Sequence, residues 1–324
     1  MFCLDKPCSV LILGGSGGLA HILSGLITKD YPMASITSVD SRPIKRRLKS
    51  KKIKYQQIKY TRGNFENLFR NNKFDVVVHL ARMGHASSVA KTNLAQRLDL
   101  NLMGTNRILE LSLKFGVKKL IVLSTFHVYG ALSDNSVYIK EDSILKASIK
   151  YPDLRDVVEM DQMVSGWMWK NQGDIEAVVL RPCNIIGPQI NNAISKYLKT
   201  KYMPLGVDFN PMFQFIHELD MANALLHSIV KLSQGIYNVA PKETISIKAA
   251  KEIMGQPTIP LPIFLLEQMT LVVDKLLLHI PNYLLEYIKF SCVIDGSSFL
   301  NEVGEDFFRF DTKTGLKLLA RDSD

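Results

Sequence analysis

Val10-Leu-Ile-Leu-Gly14-Gly-Ser-Gly17-Gly-Leu-Ala20 is the stretch that decides the fold. Four apolar residues make the length of a buried strand, and they run straight into a glycine-rich turn. Leu19–Ile27 then carries the spacing of a helix. In a strand–turn–helix of this kind Gly14 permits the tight turn, Gly17 lets backbone approach a pyrophosphate, and Ala20 is small enough for close helix–strand packing. The first helical N–H groups, around Gly18 and Leu19, lack intrahelical acceptors and sit at the positive end of the helix dipole, which suits an anion. Asp40 follows Gly17 by 23 residues, just after a second apolar run, Ile36–Val39. A carboxylate there can accept both hydroxyls of an adenosine ribose and repels a 2′-phosphate. Arg42 argues the other way, because arginine pairs with phosphate. The reading is a Rossmann-type domain that binds a dinucleotide, NAD in preference to NADP.

Further along, apolar runs continue to alternate with helical patterns. Lys54–Tyr60 reads as a third strand, Asn64–Arg70 as a short helix and Val76–Leu80 as the clearest buried strand. Asn93–Phe115 reads as one long helix capped by Gly116, Lys119–Ser124 as a strand, Asp153–Lys170 as a helix and Ala177–Leu180 as a strand. Strands spaced by helices imply an α/β fold with a mostly parallel sheet and helices on both faces. Beyond Pro188 the pattern weakens, with short strands expected at Met212–Ile216 and Ile236–Ala240 around a helix at Leu219–Lys231. The expected division is a nucleotide-binding domain over 1–188, with return segments near 212–240, and a smaller, mostly helical, substrate-facing domain over 189–324.

Composition narrows the class. Hydrophobic residues at 47% and charged residues at 22% are those of a globular chain with ample core, which excludes disordered and collagen-like proteins. The four cysteines match no zinc or disulfide framework, and no His-x-x-x-His or carboxylate cluster suggests a metal. A reducing, cytoplasmic setting is expected, with no signal peptide at the start. The most apolar stretch, Ile259–Ile280, contains Glu267, Asp274 and Lys275 and reads as a buried or groove-lining helix, with peripheral membrane contact as the minor alternative. Net charge is +9, and Ser41–Phe65 holds ten Lys or Arg with no acid. That block reads as a solvated face. It could also serve an anionic surface or nucleic acid, but no nucleic-acid-binding signature accompanies it, so nucleic acid is not the expected partner.

The ordered motifs together resemble the extended short-chain dehydrogenase/reductases of the NAD-dependent epimerase/dehydratase type, over roughly Val10 to Ala240. They are the glycine turn; Asp75-Val-Val-Val-His-Leu-Ala81; Asn101-Leu-Met-Gly-Thr105; Val117-Lys-Lys-Leu-Ile-Val-Leu-Ser-Thr125 with Val128-Tyr-Gly130; Leu180-Arg-Pro-Cys-Asn184-Ile-Ile-Gly-Pro188; and Gly235-Ile-Tyr-Asn-Val239. The resemblance implies that Leu80, Ala81 and Arg82 form the loop beside the cofactor, with Asn101 on the helix behind it. Ser124 and Pro182 join that cofactor set. Thr125 stands where a hydroxyl bonds the reacting oxygen, and Asn184 lies on the substrate side. It further implies a small-molecule substrate, commonly a nucleotide sugar, oxidised at a carbinol carbon, and a homodimer through the helices of Asn93–Phe115 and Asp153–Lys170.

The sequence departs from the family at two places. Gly63-Asn64 replaces the usual Gly-Asp, and the Asn64 amide oxygen can still accept from an adenine amine. More consequentially, no Tyr-x-x-x-Lys follows Val128-Tyr-Gly130. The nearest match is Tyr151-Pro-Asp-Leu-Arg155, in which Tyr151 would be the acid/base and Arg155 its cation. Pro152 pushes Tyr151 out of helical geometry, which displaces the pair from its usual place. His127, beside Thr125, is the alternative proton carrier. His85 follows Met83-Gly84 after the fourth strand, a place that would turn it towards the cleft, and Asp156, Glu159 and Asp161 read either as paired surface charges or as groups reaching the pocket. Trp167 and Trp169, two apart, cannot share a helix face. Two functional classes stand against the enzyme: a dinucleotide-binding sensor or interaction module without turnover, and a binder of anionic surfaces or nucleic acid through 42–62.

Overall fold

The computed structural model describes residues 4, 6–81, 94–265 and 283–321. Its centre is a seven-stranded sheet. The strands in chain order are β1 (Cys8–Leu13), β2 (Ala34–Asp40), β3 (Ile53–Gln57), β4 (Val76–His79), β5 (Lys119–Leu123), β6 (Glu176–Pro182), β7 (Asn184–Ile186), β8 (Met203–Gly206), β9 (Met212–Phe213), β10 (Phe215–His217), β11 (Gly235–Val239), β12 (Ile245–Ser246) and β13 (Thr258–Leu261). The sheet runs β11-β6-β5-β4-β1-β2-β3, and every pairing in it is parallel. Strand order reverses between β1 and β4, the switch point at which ligands settle beyond the strand ends.

Purely parallel strands must be covered on both faces, which is why these runs are apolar throughout. Val10, Ile12, Val76, Val78 and Ile121 point into one core; Leu11, Leu13, Val77, Leu120 and Val122 point into the other. The helices are α1 (Gly18–Asp30), α2 (Arg62–Asn71), α3 (Leu94–Arg97), α4 (Gly104–Lys114), α5 (Ala147–Lys150), α6 (Arg155–Lys170), α7 (Ala193–Lys199), α8 (Glu218–Val230) and α9 (Ile247–Ile253), followed by helices at Tyr283–Lys289, Ser297–Val303 and Thr312–Arg321. Leu19, Leu23 and Ile27 of α1 share the first core with Ala224, Leu225 and Ile229 of α8. Phe65, Leu68, Ile108, Leu109, Met160 and Val164, from α2, α4 and α6, fill the second.

The long helix expected over Asn93–Phe115 is divided. A wide π-helical turn, Leu98–Met103, separates α3 from α4. Asn101 lies in that turn, buried, and its Nδ2 donates to Asp156 Oδ2 at 2.7 Å. Widened turns of this kind cost backbone hydrogen-bond regularity and persist where a side chain holds them. Gly116 ends α4 at φ 68°, the left-handed region expected of its cap. The basic segment from Ser41 to Ser50 forms no regular element.

Two of the three acids left open on α6 prove to be buried and paired. Asp161 receives Arg181 Nη2 at 2.6 Å and Nε at 3.0 Å, and both side chains are out of solvent. Ser124 Oγ also donates to Asp161. Arg181 Nη1 reaches Tyr129 Oη at 2.8 Å, and Tyr129 donates in turn to Asn238 Oδ1 at 2.8 Å. One polar cluster thereby ties β5, α6, β6 and β11. Glu159 instead pairs with Arg155 at 2.6 Å on the exposed face. Trp169 is exposed, and Trp167 packs partly buried against the second core.

Removing one member of a buried pair strands a charge, so Asp161→Ala should lower unfolding free energy by about 3–5 kcal/mol. Glu159→Ala, from an exposed pair, should cost less than about 1 kcal/mol; urea melts of the two variants compare them directly. His79, buried at the end of β4 with Nε2 2.9 Å from Thr105 Oγ1, has its pKa pushed down to about 4 by burial. Its folded pKa lies below the unfolded value, so its contribution is full above pH ~6.5 and drains as pH falls towards 4, by about 2–3 kcal/mol at pH ~4.5. Urea melts across that range should show this slope, and His79→Gln should flatten it.

Candidate active site

A cleft of about 660 Å³ opens beyond the strand ends at the switch point. The glycine turn forms one wall. Gly14 has φ 91°, and a Cβ there would lie 2.9 Å from the backbone of Leu80 and Ala81, so only glycine lets the β1 and β4 loops touch. The Gly14 and Gly15 amides both donate to Val39 O at 2.9 Å. Gly17 is the N-cap of α1. It offers no side-chain cap, and the first turn carries no acid. A thirteen-residue helix thus points an uncapped N-terminus into the cleft, with Gly14, Gly17, Gly18 and Leu19 on its lining.

Asp40 does something other than wait for a ribose. Its Oδ2 accepts Ser16 N–H at 3.0 Å and Ser16 Oγ–H at 2.7 Å, and its Oδ1 accepts Arg42 N–H at 2.8 Å. The carboxylate is buried and braces the turn, with about one of four acceptor positions left over. Arg42 lines the cleft itself. Asn64 lies away from it, exposed on the first turn of α2, with Nδ2 on Lys59 O at 3.0 Å. Asn101 sits behind the site and holds Asp156, while Arg82 and His85 fall outside the described residues.

The opposite wall comes from the ends of β5 and β6 and the chain after them. Ser124, Thr125, His127, Pro182 and Asn184 all line the cleft, as does Leu80. Thr125 Oγ1 accepts His127 N–H at 3.3 Å and caps the 3₁₀ turn Phe126–Val128. That turn aims the His127 ring between the cleft and a small apolar hollow of about 20 Å³, bounded by Tyr197, Phe213, Ile247 and Ile288. Aromatic rings fix the imidazole: Phe126 at 4.2 Å, Tyr287 at 4.9 Å and Tyr283 at 5.5 Å between centroids. Asn184, shared by cleft and hollow, donates to Gln214 O at 3.1 Å. Cys183 also lines the cleft, but burial raises its thiol pKa far enough to keep it protonated and unreactive near neutrality.

Tyr151 and Arg155 are not brought to this wall. The Tyr151 hydroxyl donates to Ala131 O at 3.3 Å, and burial raises its pKa despite the Lys150 ammonium beside it. Arg155 is exposed with Glu159. The side chains that α6 and the turn before it present to the cleft are Val157 and Leu154. Leu154, Val157 and Asp161 follow spacings of three and four and share one helix face. Once Asp161 is fixed on Arg181, Arg155 is turned away.

Gln189 is a contributor with no signal in its local sequence. Its carbonyl would lie 2.6 Å from a Cβ on Gly18, its amide donates to Glu218 Oε2 at 2.8 Å, and its side chain accepts Arg46 Nη1 at 3.1 Å. Gly18 is therefore required by this crossing chain. Among the described residues no group of His, Cys, Asp or Glu could hold a metal ion, and no helix is long and apolar enough to cross a membrane.

Known proteins share this chain's sequence pattern and fold. An uncharacterised protein of Mycobacterium tuberculosis is 24% identical over 265 residues, covering 80% of this chain and 69% of that one. The dTDP-D-glucose 4,6-dehydratase of Mus musculus is 25% identical over 262 residues, covering 76% and 72%. The crystal structure of Thermus thermophilus UDP-glucose 4-epimerase in complex with NAD superposes with a TM-score of 0.74 at 18% identity, covering 97% of this chain and 98% of that one. The model of the NAD dependent epimerase/dehydratase family matches residues 10–240. The chain belongs to the NAD dependent epimerase/dehydratase family, a family of NAD-dependent enzymes.

Proposed function

We propose that the chain holds NAD(H) in the cleft and acts as an oxidoreductase of the epimerase/dehydratase type on a carbinol carbon, with a nucleotide sugar as the first substrate class to test. The observation that carries the reading is the uncapped N-terminus of α1 behind a glycine turn, facing a cleft of about 660 Å³ at the switch point of the sheet. NAD supplies, when bound, an acceptor and donor of hydride. The α1 N-terminus and the Gly14–Gly18 backbone would hold its pyrophosphate. Arg42 stands beside the adenosine end, and Asp40 keeps the turn in shape from behind. Leu80, Ser124 and Pro182 are assigned to the nicotinamide end, and residues beyond 188 to the substrate-facing side.

For proton transfer we assign His127 and Thr125 in preference to Tyr151 and Arg155. Both line the cleft, and the aromatic contacts hold the imidazole in one orientation. A neutral imidazole can take the proton from a substrate hydroxyl, and Thr125 Oγ1 can hydrogen-bond the same oxygen. Asn184 would orient the substrate. The apolar Leu154–Val157 face favours a second reading, a dinucleotide-binding sensor without turnover.

Calorimetry with NAD and NADH tests the binding half. Gly17→Val should weaken NAD binding about 100-fold, a loss of about 2.7 kcal/mol, because its side chain obstructs the ligand's approach to the turn; the added Cβ lies a tight 3.3 Å from Gly14 O, so circular dichroism of the variant accompanies the titration. Absence of uptake by the folded wild type removes the whole proposal. The catalytic half is read by following reduced-cofactor absorbance over a panel of nucleotide sugars. His127→Asn should lower kcat about 10²–10⁴-fold with NAD affinity unchanged, and Tyr151→Phe should leave kcat near wild type. Tight NAD binding with no turnover on any substrate would select the sensor.

A further inference from the structure

The hollow beside His127 differs in chemistry from the cleft it adjoins. His127, Asn184, Ile194 and Leu284 border both, so the hollow is a side pouch of the cleft. Past that rim its walls are apolar. They come from Tyr197 on α7, Phe213 on β9, Ile247 on α9, and Tyr287 and Ile288 on the helix Tyr283–Lys289. Neither tyrosine offers its hydroxyl to a guest: Tyr197 Oη donates to Pro204 O at 3.0 Å, and Tyr287 Oη is buried beside Cys292. At the rim, Asn184 Nδ2 is already donating to Gln214 O.

Two of these walls are fixed to each other. Lys251 lies one turn from Ile247 on α9 and is buried. Its Nζ donates to the carbonyls of Tyr197, Leu198 and Thr200 at 3.2, 3.1 and 2.6 Å. Those carbonyls sit at the C-terminal end of α7, where a cation is favoured. The spacing of α7 and α9 is set by these bonds, and with it the width of the hollow. A volume of about 20 Å³ admits one group the size of a water or a methyl. Water needs several polar partners, and apolar cavities without them stay dry. A hydroxyl pushed past the rim would give up its water and gain no partner, whereas a methyl would only leave water behind.

We infer that the hollow is a subsite for a methyl group carried on the carbon next to the reacting carbinol. His127, assigned above to the carbinol proton, is part of the rim. A substituent one carbon away therefore enters the hollow while the hydroxyl stays on the imidazole. Among nucleotide sugars this describes a 6-deoxyhexose handled at C4, whose C5 bears a methyl where an ordinary hexose bears a hydroxymethyl. The inference rests on the nucleotide-sugar reading of the cleft and narrows it to that class. It concerns binding, so it applies whether or not the bound sugar is turned over.

Calorimetry on the full chain loaded with NAD tests it, titrating UDP-glucose against UDP-6-deoxyglucose and the dTDP-linked pair beside them. The expected result is tighter binding of the 6-deoxy sugar, by about tenfold or more, in at least one nucleotide series. Ile247→Thr places a hydroxyl on the wall and should narrow that ratio about fivefold or more. Ile247→Phe fills the hollow and should weaken binding of the 6-deoxy sugar about tenfold. Circular dichroism and NAD uptake confirm that each variant is folded. Equal affinity for the two sugars of both pairs, or tighter binding of the hexose, overturns the inference and leaves the nucleotide-sugar reading standing. An unchanged ratio in folded Ile247→Thr overturns it too. Failure of all four sugars to bind overturns both, and NAD uptake on the same samples shows whether the cofactor assignment survives.

Discussion

The Arg181 guanidinium closes on the Asp161 carboxylate inside the protein, with two hydrogen bonds and both side chains buried. Neither charge is tolerable there alone, because burial without a partner costs several kcal/mol per ion. The pair therefore sets both the depth and the rotation of α6 against β6. Rotation matters more than depth for the site. With Asp161 turned inwards, the helix offers the cleft Val157, and the turn before it offers Leu154. Ser124, bonded to the same carboxylate, is held at the end of β5, one residue from Thr125. The shape of the cleft wall on this side follows from one ion pair that no substrate would touch.

Much of the nucleotide-binding half is legible in the sequence, because its constraints are local. A buried parallel strand must be apolar on both faces, so Val10–Leu13 and Val76–Val78 announce themselves. A turn at φ 91° must be glycine, so Gly14 does too. The roles of charged residues are less legible, because they depend on what faces them. Asp40 sits where a ribose-binding acid belongs, yet Ser16 and the Arg42 amide occupy most of its oxygens. Asp156 and Asp161 read as surface charges or pocket groups, and both are buried partners of distant residues. Tyr151 and Arg155 have the spacing of a catalytic pair, but spacing of four fixes only that two side chains share a helix face, not which face meets the cleft. Pro152 is the local sign that Tyr151 lies outside the helix, and its backbone is indeed extended.

The part beyond Pro188 is the least legible. Its strands are two to five residues long and pair with segments far away, β13 with β8 and β12 with β9. Such short pieces carry too few residues for a period to emerge, and their register is set by partners more than by pattern. The aromatic setting of His127 has the same origin. Tyr283 and Tyr287 come from more than 150 residues away, and nothing in the local sequence ties them to the β5 end.

Gln189 and Arg46 meet over the glycine turn, so the loop after β2 and the loop after β7 are joined there by a single side-chain hydrogen bond. That junction roofs one end of the cleft. The segment from Ser41 to Ser50 has no ladder of backbone bonds, so side chains fasten it instead: Ile44 is buried, Arg47 Nε donates to Ile44 O at 3.0 Å, and Leu48 N–H donates to Tyr55 Oη at 2.9 Å. A roof anchored in this way leaves its cationic side chains outermost, beside the mouth of the cleft. Positive charge gathered at an entrance raises the local concentration of anions there, whatever their chemistry.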